Sequence, residues 1–236
     1  MMKALAILLT LTLGAFAYAA SPRSSEVVVL CALHQLHEQA RLYTYADLSE
    51  AIEKLHPDVL AVELTPADLK EKVEQKNKRE YQNSVYPLLR RHNWLTVALE
   101  PEGPRRSELI AFMRQAEESL RQTSPQKDEA FDTYTDNLFE YLLSEWHSTA
   151  DVNATWTDRL FAVKHAFQDG LYGSQEKQGW EGWNRYFLQQ IITAAKQSPG
   201  KRIVVIVGVE HGYWLREHLR DQGGLKLLDT AALLHP

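Results

Sequence analysis

Two histidines follow apolar runs at opposite ends of the 236-residue chain. The run VVVLCAL leads into His34 and the run VVIVGVE leads into His211, and each histidine comes three residues after a small one, Cys31 or Gly208. Continuous β-branched runs are typical of strands buried on both faces of a parallel sheet. The histidines then fall beyond the carboxyl ends of strands, where open α/β sheets bind ligands. This placement predicts a metal site or an acid–base pair.

Carboxylates follow the other predicted strands in the same way. Glu63 ends the run DVLAVE, and Glu100 and Glu102 follow the run WLTVAL. Because the carboxyl ends of parallel strands share one edge of a sheet, we expect these side chains near the histidines. The helix before the last long strand is expected to start at that edge, with Arg185 in its first turn. An arginine there would orient a substrate or stabilise developing negative charge.

These residue types suggest a hydrolytic centre that uses a divalent metal. His34, Glu63 and His211, with Glu100 as a further ligand, suit Mn²⁺, Co²⁺ or Zn²⁺. The metal would lower the pKa of a bound water and polarise a carbonyl group, and Arg185 would stabilise the oxyanion. A metal-free version uses the same residues, with Glu63 or a histidine as general base. The substrate would be a small molecule or a peptide.

Two alternatives belong to other functional classes. Histidine and tyrosine both ligate haem iron, which makes His211 and Tyr213 candidates in a haem-binding or iron-uptake protein. A non-catalytic secreted interaction domain is the third possibility. The sequence contains no zinc-protease helix signature, no Gly-x-Ser-x-Gly nucleophile elbow and no phosphate-binding glycine loop. Serine-hydrolase and nucleotide-binding functions therefore have no support.

Composition and the first residues indicate an exported protein. Lys3, the apolar stretch after it and the sequence Ala-Tyr-Ala at 17–19 predict a signal peptide over residues 1–20, removed to leave a domain over 21–236 without a membrane span. We therefore expect a periplasmic or secreted protein. Cys31 is the single cysteine, so no internal disulfide can form. The formal net charge of −5 without a basic block argues against a nucleic-acid partner.

The elements that must position these residues alternate between strand and helix. Apolar runs predict strands over 26–32, 58–63, 94–99, 201–207 and 225–228. Helical patterns fall over 45–55, from 66 to about 91, over 180–196 and over 212–221. The stretch 105–170 is helical in pattern and predicts an inserted helical cap. The expected fold is α/β, with a mostly parallel central sheet flanked by helices.

With these motifs together, the chain resembles the TraB/Tiki superfamily, a group also called erythromycin-esterase/ChaN-like. The matching residues are His34, Glu63, Gly208 with His211, and Arg185 in the helix before the second motif. Cys31 departs from the glycine of the Gly-x-x-His form. The resemblance implies metal-dependent peptidase activity, metal-independent ester hydrolysis or haem binding, because different members of the group have each of these properties.

Overall fold

The computed structural model describes residues 23–235. The predicted signal peptide over residues 1–20 lies outside this range. Within residues 23–235, no helix combines the length and apolar character needed to cross a membrane.

Five parallel strands form one sheet, which confirms the predicted α/β class. The strands are β1 (Ser25–Ala32), β2 (Val59–Val62), β3 (Leu95–Ala98), β4 (Arg202–Gly208) and β5 (Leu225–Leu227). Their order across the sheet is β3-β2-β4-β1-β5, and every neighbouring pair is parallel. All five coincide with predicted apolar runs. The inner strands β1, β2 and β4 are almost entirely buried, as a strand covered on both faces requires, whereas the edge strands β3 and β5 are partly exposed.

Helices cover both faces of the sheet. They are α1 (Tyr45–Lys54), α2 (Pro66–Glu71), α3 (Tyr86–Arg91), α4 (Gly103–Thr123), α5 (Pro125–Glu145), α6 (Thr149–Val152), α7 (Thr155–Tyr172), α8 (Ser174–Gln197), α9 (Val209–Leu219) and α10 (Thr230–Leu234). A 3₁₀ turn spans His34–Glu38 and a π-helical turn spans Tyr81–Val85. Helices α4 to α7 lie largely in the segment predicted to be a helical insertion, 105–170, and α8 follows it before β4.

The strand side chains divide the core into two layers. Val28 and Leu30 pack on one face with residues of α1, α3, α5 and α7. Val27 and Val29 pack on the other face with residues of α4, α8 and α9. All four side chains are fully buried. This alternation explains why β1 is apolar on both faces from Val27 to its end.

Two predicted helices differ from the structure where they bear on the site. The helix predicted from 66 to about 91 is broken, because α2 ends at Glu71, the next residue, Lys72, is in the left-handed conformation (φ 52°), and the chain loops before α3. The helix predicted from Trp180 begins earlier, at Ser174. The first change lets the intervening residues reach the sheet edge. The second moves Arg185 into the middle of α8.

The strand order creates a switch point at the carboxyl edge of the sheet. The chain leaves β1, passes over β4 to reach β2, and later returns to insert β4 between them. The chain that leaves β1 and β2 therefore runs toward the β3 edge of the sheet, whereas the chain that leaves β4 runs toward the β5 edge. In open α/β sheets this divergence leaves a crevice in which ligands bind.

Candidate functional site

The structure brings His34, Glu63 and His211 together at the switch point. Each comes from a different strand end, and Glu63 lies between the two rings. The Oε1 atom of Glu63 is 4.0 Å from Nε2 of His34 and 3.8 Å from Nε2 of His211. Both imidazoles therefore direct the same nitrogen at one carboxylate oxygen.

The chain leaves β1 through a strained residue. His34 has a φ of 52°, a region that non-glycine residues adopt only when surrounding contacts impose it. Its Nδ1 lies 2.7 Å from Oε1 of the fully buried Glu80. A Cβ added to Gly208 would lie 2.5 Å from Nε2 of His34. The glycine of the second motif thus provides the space for the histidine of the first.

His211 lies in the first turn of α9 and is held by neutral partners. Its Nδ1 is 2.8 Å from Oδ1 of the buried Asn184, which comes from α8. Its ring stacks on Trp180 with centroids 4.5 Å apart and contacts Phe187 at 5.1 Å. With Nδ1 donating to the amide oxygen, the Nε2 lone pair faces Glu63.

Both oxygens of Glu63 already have partners. Oε2 accepts the backbone N–H of Gly208 at 2.6 Å, which ties β2 to the start of α9. Oε1 is 2.9 Å from Nζ of Lys78. The same ammonium donates to the carboxylate of Glu100 and to the main-chain oxygen of Glu63. Lys78 therefore bridges the two predicted carboxylates.

These surroundings shift the site's pKa values in different directions. Burial lowers the pKa of His211 to about 4. Burial also opposes the charge on His34, but Glu80 and Glu63 outweigh it and raise the pKa of His34. Burial raises the pKa of Glu63, yet Lys78 and the two histidines hold it well below the usual range. The site thus combines one histidine whose pKa is lowered with one whose pKa is raised.

The predicted metal ligands do not form a free donor set. Glu63 and Glu100 both bind the Lys78 ammonium, and a divalent cation beside it would be repelled. Over residues 23–235, no group of three or more His, Cys, Asp or Glu side chains is arranged to hold a metal ion. The residues present therefore fit an ammonium ion better than they fit a metal.

A cavity of about 300 Å³ opens beside the two histidines. It is bordered by the turn after β1, by Phe139 of α5, by Trp180 of α8 and by the first turn of α9. No side chain of the described residues caps α9. Its first N–H groups at the cavity rim are suited to binding a developing oxyanion.

The structure does not bring Arg185 or Tyr213 into this cluster. Arg185 has a side chain that is 69% exposed and pairs with Glu181, one turn away on α8. The buried face of α8 at this level carries Asn184 instead. Tyr213 follows His211 by two helical positions, about 200° around α9. The two residues therefore face different directions, which does not suit a shared iron.

A second polar group borders the same cavity without having been predicted. Glu210 lies 2.7 Å from Nζ of Lys164 and 2.9 Å from Nε2 of His165, both on α7. Burial raises the pKa of Glu210, but these partners lower it to about 2. The ring of His165 stacks on Trp180, with ring centroids 4.0 Å apart. The same tryptophan also stacks on His211.

Cys31 and Asn153 have structural roles. Cys31 is buried, and burial raises the pKa of its thiol, so it is not a nucleophile. Asn153, in the glycosylation sequon at 153–155, is also buried. Its Oδ1 accepts from the N–H of Cys31 at 2.8 Å and from Arg216 at 2.9 Å. The folded chain therefore does not present this asparagine to a glycosylating enzyme.

Glu80, Lys78 and Asn184 are the site residues that sequence reasoning missed. Glu80 and Lys78 lie in the stretch predicted as a continuous helix, where a pattern of charges indicates a solvated face. The one available signal for Asn184 is its position next to Arg185 in a helix already expected to meet the site.

Comparison of the chain with protein-family models, curated proteins and solved structures finds no match. The resemblance to the TraB/Tiki superfamily therefore stays a prediction.

Proposed function

We propose that this protein is a hydrolase that cleaves an ester or amide bond in a small-molecule or peptide substrate. The observation that carries the proposal is the pair formed by His34 and His211. Their Nε2 atoms lie within 4.0 Å of the same Glu63 oxygen, while their pKa values shift in opposite directions. Such divergence between neighbouring groups is how active sites separate an acid from a base.

In this proposal, His211 is the general base and protonated His34 is a hydrogen-bond donor to the oxyanion. Nε2 of His211 takes a proton from water while the water oxygen bonds to the carbonyl carbon. The Nε2–H of protonated His34 and the first N–H groups of α9 stabilise the oxyanion. When the intermediate collapses, the bond to the leaving group breaks and the proton passes from His211 to that group. One water is consumed and both histidines are regenerated.

Glu63 and Lys78 hold this pair in its working state. The ionised Glu63 favours the protonated form of His34 and fixes the start of α9 through the Gly208 N–H. The Lys78 ammonium balances the negative charge at the centre, as a metal ion does in metallohydrolases. A metal-independent hydrolase is therefore the version that these contacts favour.

Replacing the base tests the proposal. We expect His211→Ala to lower hydrolysis per folded molecule by at least about 100-fold, the usual contribution of a general base. The assays would use 4-nitrophenyl acetate and fluorescein-labelled casein. His218→Ala is a matched control on α9, because His218 bonds to Trp214 instead of the site. Arg185→Ala, at an exposed position, should also leave the rate within about twofold.

A measurement that needs no substrate tests the same assignment. The ring protons of His34 and His211 can be followed by NMR across pH 3 to 9. The proposal expects His211 to titrate near its pKa of about 4 and His34 above the ordinary value of about 6.5. Overlapping titrations in the wild type would remove the basis for separate acid and base roles.

A divalent-metal hydrolase remains the second hypothesis. The observation that favours it is that Nδ1 of His34 bonds to Glu80 and Nδ1 of His211 bonds to Asn184, as metal-binding histidines usually do. The Lys78 ammonium is the observation against it. Elemental analysis of protein purified without chelators distinguishes the two. Stoichiometric Mn, Co or Zn, with activity lost on chelation, would replace the metal-free proposal.

The same preparation tests the remaining hypotheses. A Soret band in the visible spectrum would favour the haem-binding alternative with His211 and Tyr213. Absence of haem, metal and hydrolysis together would favour a non-catalytic interaction domain. The proposed periplasmic or secreted location is tested by amino-terminal sequencing, which should show cleavage after Ala19 or Ala20, whereas an intact Met1 on cytosolic protein would contradict it.

A further inference from the structure

A second cavity lies on the other side of His211 and Trp180 from the first. It also measures about 300 Å³, and both side chains border both cavities. Charged and apolar side chains line the second cavity together, as in sites that bind an organic ion: Glu63, Lys78, Glu100, Arg106, Met113 and Trp183. Of the two histidines, a ligand in this cavity would contact His211, which borders it.

The close crossing of α4 and α8 builds this cavity. A Cβ added to Gly179 would lie 2.6 Å from Cγ of Met113, and one added to Gly182 would lie 2.5 Å from Cδ2 of Leu109. Two glycines one turn apart therefore let the helices approach more closely than larger residues would allow. The approach places Arg106 of α4 over the ring of Trp183, with the guanidinium carbon 5.9 Å from the centroid.

Arg106 forms an ion pair with Glu100 but makes no hydrogen bond to it. Its side chain is 44% exposed, and its Nε lies 3.8 Å from Oε2 of Glu100, too far for a hydrogen bond. The other Glu100 oxygen is bound by Lys78. Within residues 23–235, the guanidinium has no hydrogen-bond acceptor. Its planar fork of N–H groups matches the two oxygens of a carboxylate.

We propose that the second cavity is a subsite for a carboxylate-bearing part of the substrate. Arg106 binds the carboxylate, and Trp183 and Met113 contact the apolar atoms next to it. The susceptible bond then lies beside His211, which borders both cavities. The use of this subsite in catalysis rests on the proposed hydrolase function, whereas binding of the carboxylate does not.

A binding experiment on the mature protein tests the subsite without any turnover. The probe is phenylacetate, with phenylacetamide as the uncharged analogue of nearly the same shape, and the signal is tryptophan fluorescence, since Trp180 and Trp183 border the cavity. We expect saturable binding of phenylacetate, and affinity at least about tenfold lower for phenylacetamide and for Arg106→Gln. Arg106→Lys should bind phenylacetate with intermediate affinity, because it keeps the charge but loses the fork.

Arg105→Gln is the matched control. Arg105 is the preceding residue of α4, but it bonds to Glu108 and borders a different cavity. Its substitution should leave phenylacetate affinity unchanged. Equal affinity for both probes, or equal loss in the Arg105 and Arg106 variants, would overturn the subsite. Thermal melts establish that each variant is folded.

Hydrolysis then separates this inference from the proposed function. Mono-4-nitrophenyl glutarate carries a free carboxylate, and 4-nitrophenyl butyrate does not. We expect Arg106→Gln to raise KM for the glutarate by at least about tenfold and to change KM for the butyrate little. If neither ester is cleaved while phenylacetate still binds through Arg106, the hydrolase proposal loses support and the carboxylate site stands.

Discussion

The two histidine motifs look alike in sequence but are built differently. The first motif leaves its strand at His34, whose own φ is 52° and which begins a 3₁₀ turn. His211 instead lies in the first turn of a regular α-helix. The sheet register pairs Ala32, not Cys31, with Gly208, so the motifs are offset by one residue. The strain at His34 and the offset bring the two rings to one carboxylate from different directions.

Burial and the charges around each ring set its pKa. Nδ1 of His34 meets the carboxylate of Glu80, while Nδ1 of His211 meets the neutral amide of Asn184. The side chain of His34 is 30% exposed and that of His211 is 11% exposed. A like pair of residues therefore acquires unlike pKa values, because charge and burial act in opposite directions on the imidazolium.

The largest loss of activity is expected when the space that Gly208 leaves for the His34 ring is filled. In Gly208→Ala, the new Cβ would lie 2.5 Å from Nε2 of His34 and must displace the ring. The φ of Gly208 is −55°, so the backbone itself accepts alanine. We expect a loss of about 100-fold in kcat, as displaced catalytic groups typically cause. Gly223→Ala, in open space, is the control. A wild-type rate in Gly208→Ala would show that the position of His34 is unimportant.

Removing the charge beside His34 should make the two histidines more alike. In Glu80→Gln the pKa of His34 falls, because its main source of positive-charge stabilisation is gone. We expect about a tenfold loss of activity at pH 7, as for other residues that orient a catalytic histidine. Glu53→Gln removes the carboxylate of a more exposed Glu–His pair with His92 and should leave activity unchanged.

The same variant has a defined effect on stability. A histidine whose pKa is raised in the folded protein contributes stability that is fully present below its unfolded pKa of about 6.5. This contribution disappears as pH rises through the folded-state pKa. The stability difference due to His34 between wild type and Glu80→Gln should therefore shrink from pH 6 toward pH 9 in urea unfolding. A difference that grows with pH would contradict the role given to Glu80.

Giving His211 a carboxylate partner is the converse experiment. In Asn184→Asp the pKa of His211 should rise from about 4 toward the ordinary value near 6.5. The acidic limb of the pH–rate profile would move up with it, and the rate at pH 7 should change only about threefold. Asn83→Asp introduces the same charge at an exposed position. NMR titration measures the shift, and an unchanged His211 pKa would show that Asn184 does not control it.

The stability of wild type should also report the state of His211. Its lowered pKa contributes stability that is present above about pH 6.5 and is lost as pH falls toward the folded pKa of about 4. Asn184→Asp should weaken this loss, since it brings the folded and unfolded pKa values closer together.

The smallest catalytic effect is expected at Cys31, where the first motif departs from glycine. Its sulfur faces α9, because a Cβ on Gly212 would lie 2.5 Å from Sγ, and it accepts from Arg216 at 3.2 Å. Cys31→Ala should lower the free energy of unfolding by about 1 kcal/mol and leave activity per folded molecule unchanged. A large loss of activity without a loss of stability would show that this position shapes the His34 turn after all.

Much of the fold could be predicted from the sequence because the relevant signals are local. Runs such as VVVLCA and VVIVG are apolar at every position, which only a strand covered on both faces requires. Parallel direction then implies that residues following these runs share one edge. That inference alone assembled His34, Glu63, His211 and Glu100, without knowledge of the strand order.

The tertiary structure decided the partners of those residues. The buried face of α8 carries Trp183, Asn184 and Phe187, so Asn184 faces His211 while Arg185 faces solvent. The break after α2 brings Lys78 and Glu80 to the sheet edge from a stretch whose charges resemble a solvated helix. Sequence periodicity reports which face of an element is apolar. The protonation of each histidine depends instead on charges placed by distant segments, because electrostatic contacts follow distance in space and not separation along the chain.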